Sequence, residues 1–118
     1  MLWSGSVSGV SMFGMYNIKE FDVEALESGR EQILLIDVRT EGEVARGIIA
    51  GAIHIPLHLV PLRVPEIPQD RPVVIYCNSG ARSAQACAFM AAKGFENMHN
   101  LSGGIMAWVR SGKPLVAA

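Results

Sequence analysis

Cys77 is the residue around which chemistry can be built. It follows Val73, Val74, Ile75 and Tyr76, a β-branched and aromatic run without alternation, which is how a strand covered on both faces of a parallel sheet reads. Asn78, Ser79, Gly80 and Ala81 are short or turn-prone, and from Arg82 the Ala-rich text is helical until Gly94. The thiol therefore stands between a strand and a helix N-terminus, where unpaired N–H groups and the helix dipole favour an anion. A thiolate is such an anion. Its pKa falls from about 8.5 to about 3.5–7.5 in this setting or beside a cation, and Arg82 supplies one in the same loop. Cys87 lies inside the helical stretch and reads as a small buried hydrophobe. With no further Cys or His at zinc-ligand spacing, the two thiols make no metal site, and no cofactor is expected.

The loop CNSGAR, followed by Ser83 and a helix, resembles the C-x-x-G-x-R active-site loop of the rhodanese (thiosulfate sulfurtransferase) family. Three more segments agree: LLIDVRT at Leu34 to Thr40, GAIHIP at Gly51 to Pro56, and NLSGGIMAW at Asn100 to Trp108. Together the four cover about residues 17 to 116, in the family's order. The resemblance implies an α/β fold, a single catalytic domain, and a Cys77 that carries a sulfane sulfur. Three positions depart from the family's habit. Many relatives have His where this chain has Ile48, Pro where it has Ala50, and a basic residue where it has Asn78. The last departure removes a contact to the thiosulfate dianion, so thiosulfate is expected to be a poorer donor than a persulfide.

The elements that must hold this loop can be read from pattern. A short edge strand starts near Tyr16, and Phe21, Ala25 and Leu26 share one face of a short helix that closes at Gly29. Ile33 to Val38 is a second apolar strand, ending at Asp37 and Arg39. This charged pair is expected to pin the following loop and to support the site from behind. Thr40 and Glu43 fit a capping box for a short helix that stops at Gly47. A strand around Ala52 to Ile55 carries His54, read as structural because no acidic neighbour in sequence makes a triad. Leu57 to Pro72 holds four of the six prolines and is expected to be a compact irregular crossover. Asn97 to Leu101 is a fifth strand, and Ile105 to Arg110 a last helix with Trp108 packed inward. The expected architecture is a small parallel sheet of about five strands with helices on both faces, joined by right-handed crossovers.

Length and composition fit one domain over residues 16–116, preceded by an arm, residues 1–15, that is mobile or loosely packed. Trp3 and Phe13 give that arm a possible docking role. Half of the 118 residues are hydrophobic and 18% are charged, at a net charge of −1. No general field attracts nucleic acid or an anionic membrane, and no apolar run approaches the ~20 residues that cross a bilayer. The first 16 residues lack Lys and Arg, so no secretory n-region is read. Two thiols with distinct roles point to a reducing compartment, the cytoplasm.

The expected reaction follows from the resemblance. Cys77 attacks the outer sulfur of thiosulfate or a persulfide, holds it as a persulfide, and passes it to an acceptor: a small thiol, a sulfur-carrier protein, or cyanide. The backbone of Asn78, Ser79, Gly80, Ala81, Arg82 and Ser83 is expected to cradle the anion. Two rivals remain. Cysteine phosphatases and arsenate reductases use C-x5-R, one residue longer than this C-x4-R, to surround a tetrahedral oxyanion. A relay or protein-binding module would keep the fold with little turnover.

Overall fold

A computed structural model describes residues 9–13 and 16–118. One sheet organises it, in the order β1-β2-β6-β5-β3-β4. Strands β2 (Tyr16–Phe21), β6 (Met98–Leu101), β5 (Val73–Tyr76), β3 (Leu34–Asp37) and β4 (Ile53–His54) run parallel. These are the five parallel strands read from the sequence. β1 (Gly9–Phe13) adds a sixth, antiparallel to β2, with Gly9 opposite Glu20 and Phe13 opposite Tyr16. That strand falls within the segment assigned above to the N-terminal arm. Its apolar residues are broken by Ser and Gly, which hid a period-2 pattern; the docking role of Trp3 lies outside the described residues.

β5 sits at the centre, and its side chains divide the interior. Val73, Ile75 and Cys77 enter the core shared with Ala84, Cys87 and Met90 of α3 (Ala81–Ala92), while Val74 and Tyr76 enter the core shared with Leu26 of α1 (Val23–Ser28) and Ile105 and Trp108 of α4 (Gly104–Arg110). Helices therefore cover both faces, and the unalternating run is explained: both faces of β5 are buried. Registers Leu34↔Val73 and Asp37↔Tyr76 on one side and Val73↔Met98 on the other bring the C-terminal ends of β3, β5 and β6 to one edge. That edge is where open α/β sheets hold ligands.

The connections follow local chemistry. α2 (Glu41–Val44) begins with the expected capping box: Thr40 Oγ1 accepts from the Glu43 N–H, and Glu43 accepts from the Thr40 N–H at 2.9 Å. The proline-rich crossover is built of 3-10 turns at Leu57–Leu62 and Val64–Glu66. Among the described residues no helix is long and apolar enough to cross a membrane.

Candidate active site

Cys77 leaves β5 at the sheet's C-terminal edge and tucks its sulfur under the loop that follows. Gly80, in the left-handed region at φ 115°, turns that loop into α3; a side chain there would be strained. The turn aims donors at the sulfur. Sγ accepts from the Gly80 N–H at 3.1 Å and from the Ser83 N–H and Ser83 Oγ, both at 3.4 Å. Gly80 caps α3 without a side chain of its own, so the sulfur satisfies N–H groups that the helix leaves open.

Electrostatics follow from that geometry. Burial works to raise the Cys77 thiol, and the hydrogen bonds from Ser83, Gly80 and Ser79 outweigh it, so the thiol lies below its ordinary value. The residue is 1% exposed. In such a screened place, hydrogen bonds to an anion count for more than they do in water. Cys87 is the opposite case, for burial pushes its thiol well up and leaves it inert.

Arg82 differs from expectation. Expected beside the thiolate, it pairs instead with Glu43, through Nη1–Oε1 at 2.7 Å and Nη2–Oε2 at 2.8 Å. The cause is the α2 capping box, which fixes the Glu43 carboxylate opposite the guanidinium, and a planar fork on a carboxylate is a strong charge-assisted pairing. Arg82 first of all, with the Thr40 N–H adding to it, holds Glu43 down to about 2. The pair stands between two open cavities. Glu43 lines one of about 400 Å³ and Arg82 one of about 720 Å³.

The remaining expected residues fall into two groups. Asp37 and Arg39 are buried together, with Arg39 Nη2 to Asp37 Oδ2 at 2.8 Å and to the Gly47 carbonyl at 2.8 Å. Arg39 thereby ties the end of β3 to Gly47, and His54 Nε2 contacts the Arg39 carbonyl oxygen at 2.7 Å. Asn78 turns its side chain outward to Met106 Sδ at 3.4 Å. Ser79, on the loop, and Ala81, the first residue of α3, are exposed, and the Ser79 backbone N–H helps to hold the Cys77 thiol down.

Sequence reasoning missed the loop's anchors. Ser83 Oγ also reaches Asn100 Oδ1, while Asn100 Nδ2 donates to the Gly80 carbonyl at 3.2 Å and to Glu20 Oε2 at 3.1 Å. A polar residue inside a short apolar strand was the available signal, since a buried amide needs partners. α4 closes the site from the other side: the Ile105 N–H donates to the Cys77 carbonyl at 2.9 Å and the Met106 N–H to the Asn78 carbonyl at 3.2 Å. Gly104 permits this approach, because a Cβ there would lie 2.6 Å from the Cys77 carbonyl oxygen.

A largely parallel α/β sheet with a buried, hydrogen-bonded cysteine between its central strand and the next helix is an arrangement able to hold a thiolate. The family model for the Rhodanese-like domain matches residues 22–111, and the chain belongs to that family. It is 50% identical over 103 residues to a sulfurtransferase of Allochromatium vinosum, covering 85% of this chain and 96% of that one. It is 38% identical over 100 residues to the putative sulfurtransferase YtwF of Bacillus subtilis, covering 82% and 96%. A rhodanese-related protein of Thermoplasma volcanium superposes with a TM-score of 0.77 at 29% identity, over 82% of this chain and 96% of that one. Family and relatives support sulfurtransferase activity as the general chemistry.

Proposed function

We propose that the protein moves a sulfane sulfur through a Cys77 persulfide. The observation that carries this reading is the Cys77 sulfur held by two N–H groups and a hydroxyl at the sheet's C-terminal edge. The thiolate attacks the outer sulfur of a donor R–S–S⁻ or of thiosulfate; that S–S bond breaks, and RS⁻ or sulfite leaves with the bonding pair. The new Cys77–S–S⁻ then gives its outer sulfur to an acceptor thiolate or to cyanide, which restores the Cys77 thiolate. No net oxidation occurs in either half.

In this scheme Cys77 is the nucleophile, and the backbone of Asn78, Ser79, Gly80, Ala81, Arg82 and Ser83 forms the persulfide cradle. Asp37 and Arg39 support the adjoining loop. The Arg82–Glu43 pair leaves the loop without a free cation and Asn78 adds none, which favours a persulfide over thiosulfate as donor. The acceptor is a small thiol or a sulfur-carrier protein. Two unbridged cysteines fit a reducing compartment, the cytoplasm.

Mass spectrometry tests the reading. After exposure to thiosulfate or a persulfide donor, the peptide carrying Cys77 should gain one sulfur atom, and a reducing thiol should remove it. Turnover with cyanide as acceptor by a protein that never carries the extra sulfur would refute the covalent scheme.

A further inference from the structure

Glu20, Asn100 and Cys77 stand at the C-terminal ends of three neighbouring strands. Ile18 of β2, Met98 of β6 and Cys77 after β5 pack into the core beneath α3. Side chains alternate along a strand, so Glu20 and Asn100, two residues on from Ile18 and Met98, share that face, and the register sets them directly opposite each other. Asn100 Nδ2 accordingly meets the Glu20 carboxylate, 3.1 Å from Oε2 and 3.4 Å from Oε1, and the Gly80 carbonyl at 3.2 Å. A carboxylate and a carbonyl only accept. The amide cannot turn round without setting its own oxygen against them, so Oδ1 is held toward Ser83, and the Ser83 hydroxyl donates to it. That hydroxyl is also 3.4 Å from the Cys77 sulfur. A half-buried carboxylate is thereby joined to the nucleophile through one amide and one hydroxyl.

The Ser83 hydroxyl has one hydrogen, and two acceptors compete for it. Each hydrogen bond in such a chain polarises the next. Negative charge on Glu20 pulls on the Asn100 N–H, Oδ1 becomes the stronger acceptor, and the hydrogen is drawn away from the sulfur. Resting on the sulfurtransferase reading, we propose that Glu20 is a positioning residue that keeps the Cys77 thiolate more basic than its N–H cradle alone would leave it, and so prolongs the life of the persulfide. Cys77 plays two parts in that reaction. As nucleophile it attacks the donor's outer sulfur, and a more basic thiolate attacks more readily. As leaving group it departs when an acceptor thiolate takes the outer sulfur: an S–S bond forms to the acceptor, the Cys77 S–S bond breaks, and the pair returns to Sγ. A more basic thiolate leaves more slowly. Glu20 therefore favours loading over discharge, which suits a sulfur that waits for its acceptor.

The experiment follows the pH dependence of Cys77 alkylation by iodoacetamide in the whole chain, in a Cys87→Ser background. Glu20→Gln keeps the shape, removes the charge and offers Asn100 a donor as well as an acceptor. The midpoint should fall by about half a pH unit, so that the rate on the acid limb rises about two- to threefold. Glu20→Met, of similar size and without a carboxyl group, should move the midpoint the same way, and it guards against a Gln variant that folds poorly. Ser83→Ala cuts the chain, so in that background Glu20→Gln should leave the midpoint where it is. A midpoint that rises or stays put in the Glu20 variants would mean that the carboxylate only braces the loop; a fall that persists undiminished with Ser83→Ala would mean a charge acting through space. Either result overturns the proposal. Mass spectrometry supplies the second readout, for sulfur loaded on Cys77 should pass to excess 2-mercaptoethanol up to about twofold faster in Glu20→Gln than in wild type. Equal or slower loss overturns the claim on persulfide lifetime. A wild type that never takes up sulfur removes the sulfurtransferase reading itself, while the alkylation profile still decides the link from Glu20 to Cys77.

Discussion

Replacing Ser83 with Ala asks which groups make Cys77 a thiolate. Ser83 Oγ has one hydrogen and two acceptors within reach, Cys77 Sγ at 3.4 Å and Asn100 Oδ1. With a thiol at Cys77 the hydroxyl can serve Asn100. With a thiolate it must turn to the sulfur, gaining a hydrogen bond to a charged group, about 1.5–3 kcal/mol, and giving up a neutral one, about 0.5–1.5 kcal/mol. The difference is about 1 kcal/mol, roughly a factor of five in thiolate population. At a pH below the midpoint, the iodoacetamide rate of Ser83→Ala should therefore fall about five- to tenfold. The measurement belongs in a Cys87→Ser background, recorded against pH.

The same assay separates this account from one based on Arg82. Arg82 and Glu43 form a nearly neutral bidentate pair, so Arg82→Ala/Glu43→Gln removes opposite charges together. It should change the alkylation rate by no more than about twofold, because the fields of a close pair largely cancel. A double variant that loses tenfold, beside a Ser83→Ala that loses nothing, would refute the hydrogen-bond account and return the activation to the guanidinium.

Other outcomes follow from the same geometry. Cys77→Ser should abolish sulfur transfer in a cyanide assay, while Cys87→Ser should keep most of it, since the Cys87 thiol is buried and raised; equal loss would mean a two-thiol relay. Glu43 sits near 2 in the folded chain against an ordinary 4.5. Its contribution is present above about 4.5 and is lost as pH falls toward 2. Discounted for the pair's partial exposure it is worth about 1 kcal/mol, so urea midpoints of wild type and Glu43→Gln should converge on acidification. His99 is buried and held below its ordinary 6.5, so folding excludes a proton there and stability should fall as pH drops below about 6.5. His99→Phe should flatten that limb in the same titration. The unmodified protein should not hydrolyse an aryl phosphate, because the loop between Cys77 and Arg82 is one residue too short to surround three oxygens; strong phosphatase activity would overturn the assignment.

The sheet was legible because its strands are extreme. VVIY, and LLI up to Asp37, are apolar on both faces, and only a doubly covered parallel strand has use for such a run. The position of Cys77 was legible for the same reason: a residue directly after such a run has to stand at the sheet's C-terminal edge. Gly9–Phe13 was not legible, since an edge strand with Ser and Gly makes its backbone hydrogen bonds without advertising a face. The partner of Arg82 was hidden differently. Glu43 was read as a capping residue, and it is one, but each carboxylate oxygen has two lone pairs. One oxygen serves the Thr40 N–H and Arg82 Nη1 together, while the other takes Arg82 Nη2. A sequence pattern assigns a residue its local role and is silent on its spare capacity.

That spare capacity links the scaffold to the chemistry. The capping box fixes α2, and through Glu43 it fixes Arg82, which stands at the second position of α3, just before Ser83. Asn100 holds the other side, accepting from Ser83 Oγ and donating to the Gly80 carbonyl. The two groups that touch the sulfur, Gly80 and Ser83, are thus held from β6 and from α2 by bonds that do not involve the sulfur. A thiolate stabilised by backbone N–H groups that are already in place, with only the Ser83 hydroxyl left to turn, loses little in reorganisation when its charge appears. In the proposed scheme this arrangement takes the place of a histidine that would accept the thiol proton.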